Sequence, residues 1–285
     1  MSAVAEPFAV ATRRSSASRV FAFVRRHILT LYALLAFTYL LVPVAVVVMF
    51  SFNNPAGRFN YTWQGFTFDN WVHWDAIPGL RSAVEVSLEI AAISSVSATI
   101  LGTLIALALV RYGFRGRGAT NFLIFLPMST PEIVLGASLL TLFLAMNVAT
   151  GFWTIVIAHV MFNISYVVVT VKARLVGFDR HLEEAAMDLG ANEWTTFTRV
   201  TLPLIAPGIL SALLLAFALS VDDFVITNFN AGTTVTFPLF VWGAARAAVF
   251  PQINVVGTAI FAVAMLVMLL NVVFQTRRAR RLKNI

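Results

Sequence analysis

The sequence predicts an all-α integral membrane protein with six transmembrane helices, and three observations carry that reading. The chain is 59% hydrophobic and 12% charged, with a mean hydropathy of +0.85; soluble domains carry roughly twice that charged fraction. The apolar residues gather into six runs, about 28–50, 84–109, 121–145, 152–175, 204–229 and 253–275, each long enough to cross a bilayer core as helix. The basic residues alternate between connections. Arg13, Arg14, Arg19, Arg25 and Arg26 precede the first run; Arg111, Arg115 and Arg117 join the second to the third. Lys172, Arg174, Arg180 and Arg199 lie around the connection from the fourth to the fifth, and Arg277, Arg278, Arg280, Arg281 and Lys283 follow the sixth. Only Arg58, Arg81 and Arg246 fall in the other connections. By the positive-inside rule both termini are expected in the cytoplasm. The net charge of +7 therefore flanks spans instead of forming one basic face, which argues against a nucleic-acid-binding protein.

The elements follow in order. Residues 1–27 are rich in Ser, Ala and Arg and read as a disordered cytoplasmic tail. The first apolar run is too long for a signal-peptide core. Residues 28–81 supply the first span and an external loop carrying Phe52, Phe59, Tyr61, Trp63, Phe66, Phe68, Trp71 and Trp74. Such aromatics suit a membrane–water interface, and they also suit a landing surface for an external protein. The first, third and fifth spans contain Pro, which membrane helices tolerate. There is no cysteine, so disulfides, thiolate nucleophiles and cysteine metal sites are excluded.

Acidic residues within spans mark functional sites. Glu85 and Glu89 share a face at the outer start of the second span, where Arg81 can pair with Glu85; Glu89, a turn deeper, is the functional candidate. Glu132 follows Pro131 in the third span. On a straight helix starting near Asn121 it would lie roughly 16 Å deep, near mid-membrane. Asp222 and Asp223 lie late in the fifth span. Adjacent carboxylates repel unless a cation sits beside them, and with apolar helix expected to continue past them they read as a cation site; the alternative is a capping pair at a helix end. His159 and Asn163 form a polar stripe on the fourth span that interhelical hydrogen bonding explains. After the fifth span, Gly232–Pro238 is turn-rich and the following apolar piece is too short to cross, which fits a re-entrant or interfacial segment.

The segment 176–203 is charged yet patterned. Leu182, Ala185, Ala186 and Leu189 recur at helical spacing. Asp179 is expected to cap the start, with Glu183 and Glu184 in the first turn. Gly190 suits a left-handed helix end. Asn192 suits the cap of a second short helix running towards Arg199, with Pro203 as the next boundary.

This segment resembles the EAA signature of type I ABC importer permeases. Glu184-Ala185-Ala186, three residues, Gly190, nine residues, then Val200-Thr201-Leu202-Pro203 match it. The resemblance covers about 82–275, the expected permease domain, followed by a basic tail at 276–285. It implies a type I ABC importer permease fold in which Glu184, Ala185, Ala186, Gly190, Leu202 and Pro203 dock a separate ATPase from the cytoplasm. The stretches Leu126–Leu140 and Ser220–Phe229 resemble spermidine/putrescine permeases, most closely the shorter of the two permease subunits such systems use. That likeness implies a polyamine substrate passing Glu132, Asp222, Asp223 and Glu89. It also implies a bacterial cell-membrane location and three kinds of partner: two copies of an ATPase, a second permease and an external binding protein. No Walker A glycine loop occurs; ATP-Mg is expected on the partner, with no cofactor on this chain. Two other readings stand beside this one. The first is the same importer class for thiamine, a metal chelate or an oxyanion, the last disfavoured by the intramembrane carboxylates. The second is a channel that needs no ATPase; an enzyme finds no nucleophile–base or metal-ligand constellation to support it.

Overall fold

The first apolar run forms α1 (Ser16–Ser51), which continues through Pro43. The computed structural model describes the backbone of residues 16–283 and the side chains of residues 27–270, 272 and 273. The tail expected to be irregular up to residue 27 is thus helical from Ser16, while the disorder expected of residues 1–15 falls outside the described residues. After α1 come α2 (Asp69–Val72), α3 (Leu80–Arg111), α4 (Arg117–Ser129), α5 (Glu132–Ala145), α6 (Phe152–Val176), α7 (His181–Asp188) and α8 (Glu193–Thr196). A π-helical turn, Phe197–Thr201, leads into α9 (Leu202–Val221), followed by α10 (Val225–Asn230), α11 (Phe237–Ala245) and α12 (Pro251–Lys283). No strand occurs among the described residues, only two isolated bridges. The basic tail expected from residue 276 continues α12 as far as Lys283.

Five helices are long and apolar enough to cross a membrane, and the pair α4–α5, bent by 108°, makes six when counted as one broken span. The third span was expected to be continuous. Pro131 explains the break: it lacks an N–H, and it forces the preceding Thr130 into an extended conformation (φ −81°, ψ 132°). The hydroxyls of Ser129 and Thr130 donate to the carbonyls of Phe125 and Leu126 at 2.9 and 2.7 Å, engaging the last turn of α4. Glu132 is consequently the first residue of a half-helix, and a depth counted along a straight span does not apply to it.

The fifth span is also broken. Its helix stops at Val221, and Asp222–Phe224 separate it from α10, so apolar helix does not run uninterrupted past the two aspartates. Asp223 is the cause: its carboxylate accepts from the backbone N–H groups of Ile226 (3.4 Å) and Thr227 (2.7 Å), replacing intrahelical partners. At its other end this helix is longer than expected. The boundary assigned to Pro203 is absent, because the π turn places the Leu202 N–H on the Phe197 carbonyl and carries the chain past the proline.

The core is the packing of α3, α6 and α9. Small and β-branched residues form it, among them Ala98, Ala106, Val167, Val171, Ala212 and Ala216, as expected where helices associate through close backbone approach. Gly102 sets the closest point. A Cβ there would lie 2.6 Å from Val167 Cγ1 and 3.3 Å from the Ile164 carbonyl oxygen. Gly102→Ala is expected to destabilise the subunit by about 1–3 kcal/mol through overpacking, read as a lowered unfolding midpoint of the purified protein in detergent. An unchanged midpoint would show that α3 and α6 can part freely. α1 lies outside this core, packing on α12 with Val47 against Gly257 and leaving its apolar side chains exposed.

The aromatic loop is built, not loose. Buried Asn53 donates to Asn60 Oδ1 (2.6 Å) and the Thr62 carbonyl (2.7 Å), and buried Asn70 donates to the Ser51 and Asn53 carbonyls. Phe52 stacks on Phe66 and Trp71 with ring centroids 5.4 Å apart in each pair.

Candidate functional site

Two regions gather the residues singled out in the sequence. The first forms where the two broken spans meet. α5 and α10 pack against each other because Gly136 has no side chain: a Cβ there would lie 2.8 Å from the Phe229 ring and 3.3 Å from the Ile226 Cα. The Asn230 amide reaches the Gly136 carbonyl at 3.4 Å. This contact ties the α5 half-helix, which begins at Glu132, to the segment that follows the break in the fifth span.

The two aspartates have different surroundings. Asp222 is exposed and lines a recess of about 400 Å³ with Phe224, Phe237, Val241, Trp242 and Ile260. Phe224 and Trp242 lie 5.3 Å apart, and the Arg246 guanidinium sits 4.9 Å from the Trp242 ring centroid, a cation already on an aromatic face. Asp223, its side chain 6% exposed, turns into the bundle, where it meets His159 Nε2 at 3.1 Å and Thr227 Oγ1 at 2.8 Å. The capping alternative thus describes Asp223, while Asp222 remains open to a ligand. Glu132 is exposed, and among the described residues its carboxylate makes no hydrogen bond or ion pair. Glu89 lies on an exposed face of α3, and no such contact joins it to the cluster. Arg81 pairs with Glu85 at 2.8 Å, as the spacing predicted.

The second region is the helix pair at the opposite, arginine-bearing end. Gly190 is left-handed at φ 88°, with open space where a Cβ would be. Asn192 Oδ1 accepts from the Thr195 N–H at 2.8 Å, the expected cap. Asp179 bonds the His181 N–H at 3.0 Å, although the residue flanking α7 is Arg180. Leu182, Ala185 and Leu189 are exposed, Leu189 by 90%, and so are Leu202 and Pro203; Ala186 is half-buried. Glu184 is also exposed, and among the described residues its carboxylate pairs only with His181, at 3.1 Å.

Its neighbour Glu183 anchors α7. Glu183 Oε1 accepts from both Arg111 Nη2 at the end of α3 and Thr201 Oγ1 in the π turn, and Arg180 donates to the Val110 carbonyl at 3.1 Å. A groove of about 790 Å³ between α7, α8 and the end of α3 is lined by Arg111, Glu183, Met187, Trp194 and Phe197. Sequence reasoning did not find this clasp, nor the pairing of His159 with Asp223. The partners lie 72 and 64 positions apart, and no local spacing relates them.

Helices that cross a membrane, broken spans meeting at carboxylates, and an exposed helix pair at the arginine-bearing end together define a multi-pass permease subunit. Residues 98–283 match the binding-protein-dependent transport system inner membrane component family, and the chain belongs to that family. It is 36% identical over 241 residues to the spermidine/putrescine transport system permease protein PotC of Haemophilus influenzae, covering 84% of this chain and 93% of that one. It is 42% identical over 236 residues to the putrescine transport system permease protein PotI of Escherichia coli K12, covering 80% and 83%. Among solved structures, a bacterial ABC transporter involved in import of the acidic polysaccharide alginate matches with a TM-score of 0.67 at 17% identity, over 91% of this chain and 99% of that one. The MetNI methionine ABC transporter matches with a TM-score of 0.53 at 15% identity, over 71% and 95%. The fold is that of a type I ABC importer permease.

Proposed function

We propose that this chain is the translocating permease subunit of an ATP-driven importer of polyamines. One observation carries the proposal: the break in the fifth span leaves Asp222 exposed on a recess faced by Phe224 and Trp242. A linear polyamine offers ammonium groups to carboxylates and aromatic faces, and methylenes to apolar walls. The names carried by the relatives at 36% and 42% identity support the same class. The pathway residues are Glu132 and Asp222, with Asp223 as their frame; Glu89, on its separate face, is a candidate contact for substrate or for a second permease.

The arginine-bearing end is cytoplasmic in this reading, with both termini, by the positive-inside rule. There the exposed Glu184, Ala185, Gly190, Leu202 and Pro203, with the half-buried Ala186, receive an ATPase subunit, one of two copies. A second permease completes the pathway and an external binding protein delivers the substrate. This chain binds no cofactor, and ATP-Mg resides on the ATPase. Movement of the docked ATPase is transmitted through the Glu183 clasp to α3 and through the π turn to α9.

Uptake of radiolabelled spermidine and putrescine into vesicles carrying the assembled complex tests the proposal. ATP-dependent uptake that unlabelled polyamine competes away is the expected result. An assembled, ATP-hydrolysing complex that accumulates neither amine would overturn the substrate.

A further inference from the structure

We infer that His159 is a positioning residue for transport: its imidazole, held on α6, staples together the two sides of the break in the fifth span and so presents Asp222 to the recess. This rests on reading Asp222 as a substrate-facing carboxylate.

Both ring nitrogens are engaged, one on each side of Asp222. Nδ1 lies 2.6 Å from Ser220 Oγ in the last turn of α9, and Ser220 Oγ lies 2.9 Å from Ser94 Oγ on α3. Nε2 lies 3.1 Å from Asp223 Oδ2 and 2.9 Å from Thr227 Oγ1 in α10. His159 itself is 2% exposed. One donor must face Asp223. Asp223 Oδ2 already accepts from the Thr227 N–H and O–H, so it is the acceptor and Nε2–H donates to it, shared with Thr227 Oγ1. Nδ1 shares a hydrogen bond with the Ser220 hydroxyl, which shares another with the Ser94 hydroxyl.

A helix broken in the membrane needs its freed backbone groups and any buried charge satisfied by protein. Asp223 meets the first need by capping α10, and His159 meets the second by supplying a donor to Asp223. With residues 220 and 223 held by one ring, residue 222 has little freedom, and its carboxylate points away from the bundle. Without the imidazole, Asp223 keeps its bonds to α10 but loses its link to α6. Its charge is then undercompensated, and the turn that carries Asp222 is released.

The test uses the full transporter with its ATPase, second permease and binding protein. These 285 residues contain no cysteine, so Asp222→Cys adds one thiol to them; with cysteine-free partners, its modification rate by a water-soluble cationic methanethiosulfonate reports how residue 222 is presented. In an otherwise wild-type background rapid modification is expected, and His159→Leu is expected to change that rate several-fold in a complex that still hydrolyses ATP. With Asp222 intact, His159→Leu is expected to lower polyamine uptake per ATP hydrolysed by about tenfold, as befits a buried charge left short of a donor. Adding Asp223→Asn should relieve much of this loss by removing the charge. If His159→Leu alone prevents assembly, recovery of complex in the double variant supports the staple. Unchanged modification, unchanged uptake per ATP, or a defect in uptake or assembly that Asp223→Asn leaves untouched would each overturn it. Failure of the wild-type complex to take up polyamine bears on the substrate alone, because the modification rates are read without substrate.

Discussion

Glu184→Lys and Gly190→Asp are each expected to abolish ATP-driven uptake while the permease still folds and reaches the membrane. Glu184 is exposed and among the described residues its carboxylate pairs only with His181, so reversing its charge disturbs little within the subunit. At Gly190 a side chain meets open space, and the internal cost is the left-handed backbone at φ 88°, about 1–2 kcal/mol. Both changes fall on the proposed ATPase-docking face. Disruption at the centre of such an interface costs on the order of 2–4 kcal/mol, roughly a 30- to 900-fold loss of affinity. ATPase co-purification and vesicle uptake should therefore fall together. Glu183→Gln should behave differently: it weakens the bonds to Arg111 and Thr201 inside the subunit and leaves the outward face intact. Its ATPase should still bind, with less transport per ATP consumed. Wild-type co-purification and uptake in both Glu184→Lys and Gly190→Asp would refute the docking role.

The contrast between Glu184 and Glu183 marks how far the sequence could be read. The motif spacing picked out Glu184 and its neighbours, and local rules placed the Gly190 turn and the Asn192 cap. These are short-range relations, and the structure keeps them. The unbroken spans were legible for a similar reason: runs at 84–109 and 152–175 became α3 and α6 within a few residues, because a helix long and apolar enough to cross carries its own signal. The broken spans were harder. Pro131 announced a disturbance, but membrane helices often accommodate proline, and a bend of 108° depends on what α5 packs against. The aspartate pair left two readings open, cation site or helix cap. Asp223 takes the capping role and Asp222 is left exposed, a division set by His159 from another helix. Glu183, Arg111 and Thr201 likewise converge only through the tertiary packing of α3, α7 and the π turn. Long-range polar pairing was invisible because hydropathy and spacing describe one helix at a time.

The division between Asp222 and Asp223 makes the last prediction specific. Asp222→Asn and Glu132→Gln should each lower polyamine uptake by about tenfold, since each removes a proposed charge-assisted hydrogen bond to the polyamine, worth about 1.5–3 kcal/mol. Neither substitution should impair assembly, because both carboxylates are exposed and neither bonds another residue's side chain among the described residues. If both act on the same cation, their effects should not add. The double variant should transport only slightly worse than the weaker single one, a coupling measurable as a double-mutant cycle on initial uptake rates. Asp223→Asn alone should instead reduce the yield of assembled complex, since it disturbs a buried group with partners on two helices. Additive losses in the double variant would place Glu132 and Asp222 on separate parts of the path, each meeting substrate alone. Normal uptake in both single variants would remove the carboxylates from the path and leave the aromatic recess to account for recognition.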